Sequence, residues 1–561
     1  MDDKIFVISI TIFTTCLAIG FWLLLKCDRY RRTFMRGNQL NPIMRGQLVP
    51  DAEHPYLFGQ LFHSFSELRK SIVLVGSPGS GKTVQILLLM KTVIPRIMEE
   101  GSQVRAVVYD SKSDLTSKIA SMDVSPDRIK IMNPLDARSY AWDICNDVVS
   151  PAEAQDLASI LIPLPRGSKQ PYFPEAARGI LRGLIEVFQQ HCPQQWELRD
   201  LILATKTVER LAYLLASTSA TESLLEHFEP ENTFNNVRST LTEGLDKLSS
   251  VASSWHKSRN EGRVISLASW LDSQSVLILG NSPKQKAPLA VLNNILMSFI
   301  TKQVLSRPGE RHEQNFFFLD EFRELGKIDS MSDLAGLGRS KGSCLVLGFQ
   351  DIFGVDEVYG KEKSREIIGN CSNMGILHIN STEPDTQKWA SEVLGQHEFL
   401  ETQNSESETF AEKNSYSVSK THMIKSEALW LPAQFSSDIP KVSLEDGCQG
   451  VFRINSQFYQ SNILGKHLFT DEGTYNRVPG ENSNFPNEVP LEAEHTRLTD
   501  WDDDDFNRLG IAGLKQISTI KPQMPENIKN RLIEVLGKSF IETDTSQETP
   551  MRRKMKGEEL S

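Results

Sequence analysis

The residues best suited to chemistry in this chain are Gly76, Ser77, Pro78, Gly79, Ser80, Gly81, Lys82 and Thr83. Their order fits G-x-x-x-x-G-K-[ST]: the glycines let backbone N–H groups curl round an anion, and the next helix adds its positive dipole end. Lys82 then reaches the β- and γ-phosphates of ATP, and the Thr83 hydroxyl ligates Mg²⁺. A second set lies far downstream, where Phe316-Phe317-Phe318-Leu319 ends in Asp320-Glu321. Such a strand is expected beside the phosphate loop, with Asp320 holding Mg²⁺ through water and Glu321 polarising the attacking water. Four apolar residues before two acids are common by chance, so the pair takes its meaning from the loop upstream. Gln350 closes the run Cys344–Phe349. It is either a plain strand-end amide or a group that hydrogen-bonds the γ-phosphate or its water, and position alone leaves both open.

These residues need a frame. Ser71–Val75 is short, β-rich and apolar, as a buried parallel strand should be, and Val84–Lys91 reads as the start of a helix. Gln103–Tyr109, Arg128–Met132, Ser275–Leu279, Asn315–Leu319, Cys344–Gly348 and Met374–Asn380 read as further strands, with Gly450–Ile454 and Phe458–Ile463 as a terminal hairpin. The turn Asp110-Ser111-Lys112-Ser113-Asp114 follows a strand on the side where ligands bind in such sheets. Between Pro151 and Arg263 apolar residues recur at three- and four-residue spacing, which predicts a helical block. The expected fold is an α/β nucleotide-binding domain split between its third and fourth strands by an inserted all-α domain. Gln403–Lys420, rich in Ser and Glu, is expected to be a surface loop.

With 561 residues the chain can bury more than one core, and its net charge of −11 means that any nucleic-acid contact comes from local basic patches. Seven scattered cysteines without a C-x-x-C pair suit a reducing compartment and offer no cysteine metal site. Ile5–Leu25 is uncharged, apolar and long enough to cross a bilayer. Lys26, Arg29, Arg31, Arg32 and Arg36 follow it, which orients the bulk of the protein to the cytoplasm behind a single N-terminal transmembrane helix. The expected divisions are a 1–36 anchor with basic flank, nucleotide-binding parts 37–150 and 266–468, an all-α insertion 151–265, and an acidic, largely disordered tail 469–561. Within the tail, Glu526–Leu536 is a candidate helix and Arg552–Lys556 a basic end.

From about Ser71 to Ile463 the chain resembles the conjugative type IV coupling proteins of the TraD/TrwB-like branch. These are membrane-anchored, RecA-like hexameric motors related to FtsK-type DNA pumps. The likeness is carried by Gly76–Thr83, by Asn133-Pro134-Leu135-Asp136-Ala137-Arg138 with Ala141-Trp142-Asp143, and by Phe318-Leu319-Asp320-Glu321. Gly338-Arg339-Ser340-Lys341-Gly342, Gly348-Phe349-Gln350 and Val358-Tyr359-Gly360 complete it. The resemblance implies that Arg339 is an arginine finger and that Gln350 couples hydrolysis to DNA movement. It further implies a homohexameric inner-membrane P-loop ATPase that hands relaxase-bound single-stranded DNA to a type IV secretion channel. The same motor recruiting protein effectors without DNA is the alternative. A scaffold that only binds nucleotide would have no need of Glu321 and Arg339. The single apolar run departs from relatives with two transmembrane helices, and the resemblance says nothing about the tail or the DNA-lining surface.

Overall fold

The computed structural model describes residues 30–43, 48–164, 172–228, 231–309, 312–409, 415–470, 475–512 and 514. The expected anchor at Ile5–Leu25, the helix at Glu526–Leu536 and the basic end at Arg552–Lys556 lie outside them.

The centre is a nine-stranded sheet. Its strands in chain order are β1 (Ile72–Val75), β2 (Val104–Asp110), β3 (Ile129–Met132), β4 (Val276–Gly280), β5 (Gln314–Leu319), β6 (Ser343–Phe349), β7 (Asn373–Ile376), β8 (Cys448–Ile454) and β9 (Gln457–Ile463). In space the order is β9-β8-β7-β1-β6-β5-β2-β4-β3. From β7 to β3 neighbours run parallel, and β8 and β9 add an antiparallel hairpin at one edge. Both faces of the parallel part are covered, so its strands are largely apolar, with successive side chains going to different cores. Ile72, Leu74, Phe316 and Phe318 join one core with the phosphate-loop helix α1 (Lys82–Val93). Val73, Val75, Phe317 and Leu319 join the other, which continues into the helical block. That block, with helices including Tyr172–His191, Leu198–Ala204, Val208–Ala216 and Ser249–Asn260, lies between β3 and β4. Lys286–Ser306 is long and apolar enough to cross a membrane, but Leu289, Leu292, Ile295, Leu296, Phe299 and Ile300 are buried in the core.

Two segments differ from the sequence expectation. Residues 403–409 and 415–420 are strand rather than loop: Gln396–Thr409 and Ser415–Ala428 pair along a long antiparallel ladder, and Tyr30–Gly37 pairs with the first of them. Polar residues fall on both faces of this small sheet, so the alternation that betrays a half-buried strand is missing. The basic flank is also built in, because Arg36 Nε meets Glu398 Oε2 at 2.8 Å and Arg32 Nη1 meets Glu427 Oε2 at 3.4 Å.

The second difference is in the acidic tail, whose first half straps the molecule together. Residues 482–491 lie along the turn after β3. There Asp136 receives the Arg138 guanidinium (Nη2–Oδ2 2.6 Å), Ala137 N donates to Val489 O, and the Arg138 guanidinium stacks 4.6 Å from the Phe485 ring. Residues 499–514 then dock on the helical block, burying Trp501, Phe506, Leu509, Ile511 and Leu514. The fully buried Asp200 accepts from Arg508 Nη1 (2.9 Å), Arg508 Nη2 (3.0 Å) and Trp501 Nε1 (2.9 Å). Asp505 accepts from Arg199 Nη1 at 2.8 Å and Asp500 from Arg210 Nη1 at 2.7 Å. Asp502–Asp504 are solvated, but Asp500 and Asp505 meet Arg210 and Arg199, some 300 residues away, a pairing that the sequence cannot show.

Arg508→Ala, which would strand the buried Asp200 carboxylate, is expected to cost about 3–5 kcal/mol. Denaturant unfolding followed at the helical block reads this; an unchanged midpoint would mean that the strap is dispensable. Asp500 is burdened by burial, yet the Arg210 hydrogen bond wins and holds its carboxyl at about 2; Asp505 is lowered in the same way. Both folded values lie below the unfolded value of about 4, so their stabilisation is full above that pH and lost as pH falls through the folded values.

Candidate nucleotide site

β1 ends in the glycine loop and α1 begins inside it, with Gly81 at φ 102° as the turn residue. A Cβ on Gly81 would come within 2.6 Å of Val442 and 2.7 Å of Cys448 Sγ, so both backbone conformation and space demand glycine here. Val442 N donates to Gly79 O at 3.0 Å, tying the loop to the stretch before β8. The Lys82 ammonium is buried and donates to Gly76 O. Burial lowers its pKa from the usual lysine range, and the charges of Glu321 and Asp320 pull the other way.

The acid-bearing strand is not the immediate neighbour of the phosphate-loop strand, because β6 lies between β5 and β1. The side chains still meet: Thr83 Oγ1 donates to Asp320 Oδ2 at 2.6 Å. Gly348 makes room for this, since a Cβ there would sit 2.3 Å from Asp320 O. From the end of β6, Gln350 Nε2 donates to Glu321 Oε1 at 2.8 Å. Gln350 thus touches the candidate base, which links the base to the helix Ile352–Tyr359 directly after it.

Ser80 Oγ, Asp320 Oδ1 and Glu321 Oε2 are buried and have no hydrogen-bond partner among the described residues. Unpaired buried oxygens are costly, and here they surround a loop shaped for an anion. Such a donor set fits a hydrated divalent cation beside phosphates, with Thr83 and Asp320 as its holders.

Sequence reasoning missed other residues of the site. Lys112, on the turn after β2, places its ammonium 3.9 Å from Glu321 Oε1. The turn is conspicuous in sequence, but Asp110 within it is structural, accepting from the N–H groups of Asp114 and Leu115 at 3.0 Å each. Beneath the phosphate loop, Ser77 Oγ donates to Glu383 Oε1 at 3.0 Å and accepts from Asn380 N at 2.8 Å. No local signal could join these, because Ser77 and Glu383 are 306 positions apart. Arg339 is not part of this constellation. It is exposed in the short 3₁₀ turn Gly338–Lys341 before β6, at the N-terminal end of the parallel strands, whereas the phosphate loop follows the C-terminal end of β1.

The family model described as type IV secretion-system coupling protein DNA-binding domain matches residues 55–439. Coupling protein TraD of Escherichia coli (strain K12) is 22% identical over 339 residues, which is 59% of this chain and 44% of TraD. The aligned stretch is therefore less than half of that relative. Among solved structures, plasmid coupling protein TrwB in complex with ADP and Mg²⁺ superposes with a TM-score of 0.60 at 20% identity, covering 82% of this chain and 98% of TrwB. TrwB with the non-hydrolysable ATP analogue ADPNP gives 0.58 at 20% identity, with coverage of 80% and 98%. At that identity the likeness establishes the fold, a RecA-like α/β core. The family match runs through the phosphate loop, the acid strand and the helical block, and by it the chain belongs to the type IV secretion-system coupling proteins, the TraD/TrwB family.

Proposed function

We propose that this protein is a membrane-anchored ATPase that couples a relaxase-bound DNA strand to a type IV secretion channel and pumps single-stranded DNA. The observation that carries the ATPase part is the paired contact Thr83–Asp320 and Gln350–Glu321 around buried, unpartnered oxygens. TrwB, which shares the fold, has been captured with ADP and Mg²⁺ and with an ATP analogue, which supports the same ligands here. The family description as a DNA-binding domain supports DNA as cargo.

In this reading backbone N–H groups of 76–83 and the Lys82 ammonium seat the β- and γ-phosphates. Mg²⁺, when bound, would be held by Thr83 and Asp320 and would supply positive charge that offsets the charge of the phosphates. Glu321 orients and polarises water for in-line attack on the γ-phosphate, with no covalent intermediate. Gln350 passes the change at Glu321 to the helix behind it. Arg339 lies too far from its own loop to serve it, so it acts on a neighbouring copy in a homohexameric ring. Ile5–Leu25 holds the ring to the inner membrane, with the catalytic mass in the cytoplasm.

Complementation in cells tests the cargo. Wild-type protein should restore conjugative DNA transfer to a strain lacking it, and Lys82→Ala should leave transfer at the background level. DNA transfer unaffected by Lys82→Ala, with loss of protein-effector export instead, would favour the effector-recruiting alternative.

A further inference from the structure

The small sheet has Tyr30–Gly37 and Ser415–Ala428 as its edges, and neither pairs outward with another described strand. An open edge is a row of unpaired N–H and C=O groups and a ready template for another chain. Each edge also carries two exposed apolar side chains: Phe34 (42%) and Met35 (51%) on one, Met423 (42%) and Ile424 (63%) on the other. Isolated exposed apolar residues need no explanation, but matched pairs on two open edges do.

The two pairs lie at one height. Phe34 is opposite Phe399 on the central strand, and the next residue, Leu400, is opposite Ile424. Both edge strands are antiparallel to the central one and therefore run in the same direction. Set side by side, the first edge of one copy matches the last edge of another in direction and approximate level, bringing Phe34 near Met423 on the face of Phe399 and Glu401, with Met35 in a bulge of its strand and Ile424 on the other face. Charge does not oppose this contact. Arg32 and Arg36 are paired with Glu401, Glu427 and Glu398, and Lys425 with Glu401, all within one sheet.

The chain preceding the sheet favours the same occupant. Leu25, the end of the apolar run, is five positions before Tyr30. An extended chain covers about 3.3–3.6 Å per residue, so the sheet starts within roughly 18 Å of that run. If the run is a membrane anchor, the sheets of neighbouring copies are held at one depth.

We infer that the occupant of each edge is a second copy of this chain, Tyr30–Gly37 of one pairing in parallel with Ser415–Ala428 of the next. Such a contact joins different surfaces of identical subunits, so it propagates head to tail and closes into a ring by rotation. The result is a continuous β-collar at the membrane end, distinct from any contact between nucleotide domains. The inference rests on the ring in the reading above, but not on its chemistry.

The test is disulfide trapping in the full chain in native membranes, with Phe34→Cys and Met423→Cys introduced together, since Phe34 and Met423 lie opposite Phe399 and Glu401 and so share one face of the sheet. Neighbouring strands are about 4.7–4.9 Å apart, within the Cα range a disulfide can bridge. Cys145, Cys192, Cys344, Cys371 and Cys448 are buried, and the unsubstituted chain sets the background from Cys16 and Cys27. Mild oxidation should give the double variant a ladder of covalent multimers beyond the dimer, and each single variant only background. Adding Ile424→Asp to the cysteine pair should cut the ladder about ten-fold while ATP binding stays at the wild-type level. Dimers from a single variant would mean like edges pair, and the inference fails. An oligomer by sedimentation without a ladder would place the ring contact elsewhere, sinking the collar and sparing the motor. A monomer in membranes would overturn collar and ring together, and transfer of a lipid photoprobe to Ile424 without a ladder would make lipid the occupant.

Discussion

Glu321→Gln is expected to bind ATP as tightly as the wild type and to turn it over about 10²–10⁴-fold more slowly, the usual worth of a positioned general base. The substitution keeps volume and shape, and the new amide oxygen can still accept from Gln350 Nε2, now 2.8 Å from the carboxylate. Thr83 and Asp320 are untouched, so the cation holders remain. What is lost is the negative, basic oxygen, and Glu321 Oε2 is the one oxygen of that carboxylate without a protein partner. The loss should fall on kcat and leave KM near its wild-type value, the signature of an interaction made only in the transition state. Fluorescent-nucleotide binding and steady-state turnover separate the two. Wild-type turnover in Glu321→Gln would remove Glu321 as the base.

Mixing two inactive variants should restore activity. Arg339→Ala leaves the phosphate loop whole, and Lys82→Ala leaves the arginine whole. Arg339 is exposed before the N-terminal end of β6, the end of the parallel strands away from its own loop, so the proposal has it reach the site of another subunit. A guanidinium supplied across an interface neutralises charge on the transferring phosphoryl group and is worth about 10³–10⁵ in rate in NTPases that use one. Each variant alone should therefore be nearly silent. In rings shown to exchange subunits, interfaces pairing an intact loop with an intact Arg339 should turn over ATP measurably. A mixture as inactive as its parts would reduce Arg339 to a surface residue. An arginine acting in this way would make hydrolysis depend on assembly and keep a lone subunit idle.

The parallel sheet was legible because every strand in it is buried on both faces, so each reads as an unbroken apolar run bounded by polar turns. The phosphate loop was legible because its glycines and Lys-Thr are local. Asp320 and Glu321 could be paired with it only by assuming a fold, and even then the intervening β6 escaped notice. Contacts between distant parts were not legible at all. Ser77 with Glu383, Lys112 with Glu321, and Arg508 with Asp200 join residues whose sequence neighbourhoods carry no trace of their partners. The ladder of Gln396–Thr409 with Ser415–Ala428 was hidden for a different reason. Its backbone pairing is complete over fourteen rungs, but the sequence is polar at most positions on both sides, and of the few buried ones Glu401 is charged, so no apolar alternation marks the strands. The strap reads as a disordered tail because composition alone cannot show that its aspartates face arginines.

The central claim is that hydrolysis at this site is harnessed to DNA. The most direct test is steady-state ATP turnover by the detergent-solubilised full chain, with and without single-stranded DNA at low salt. The account predicts a DNA-stimulated rate that saturates with DNA, vanishes in Glu321→Gln and falls as salt screens the phosphate contacts. A brisk rate that DNA leaves unchanged, in rings confirmed by sedimentation, would contradict it.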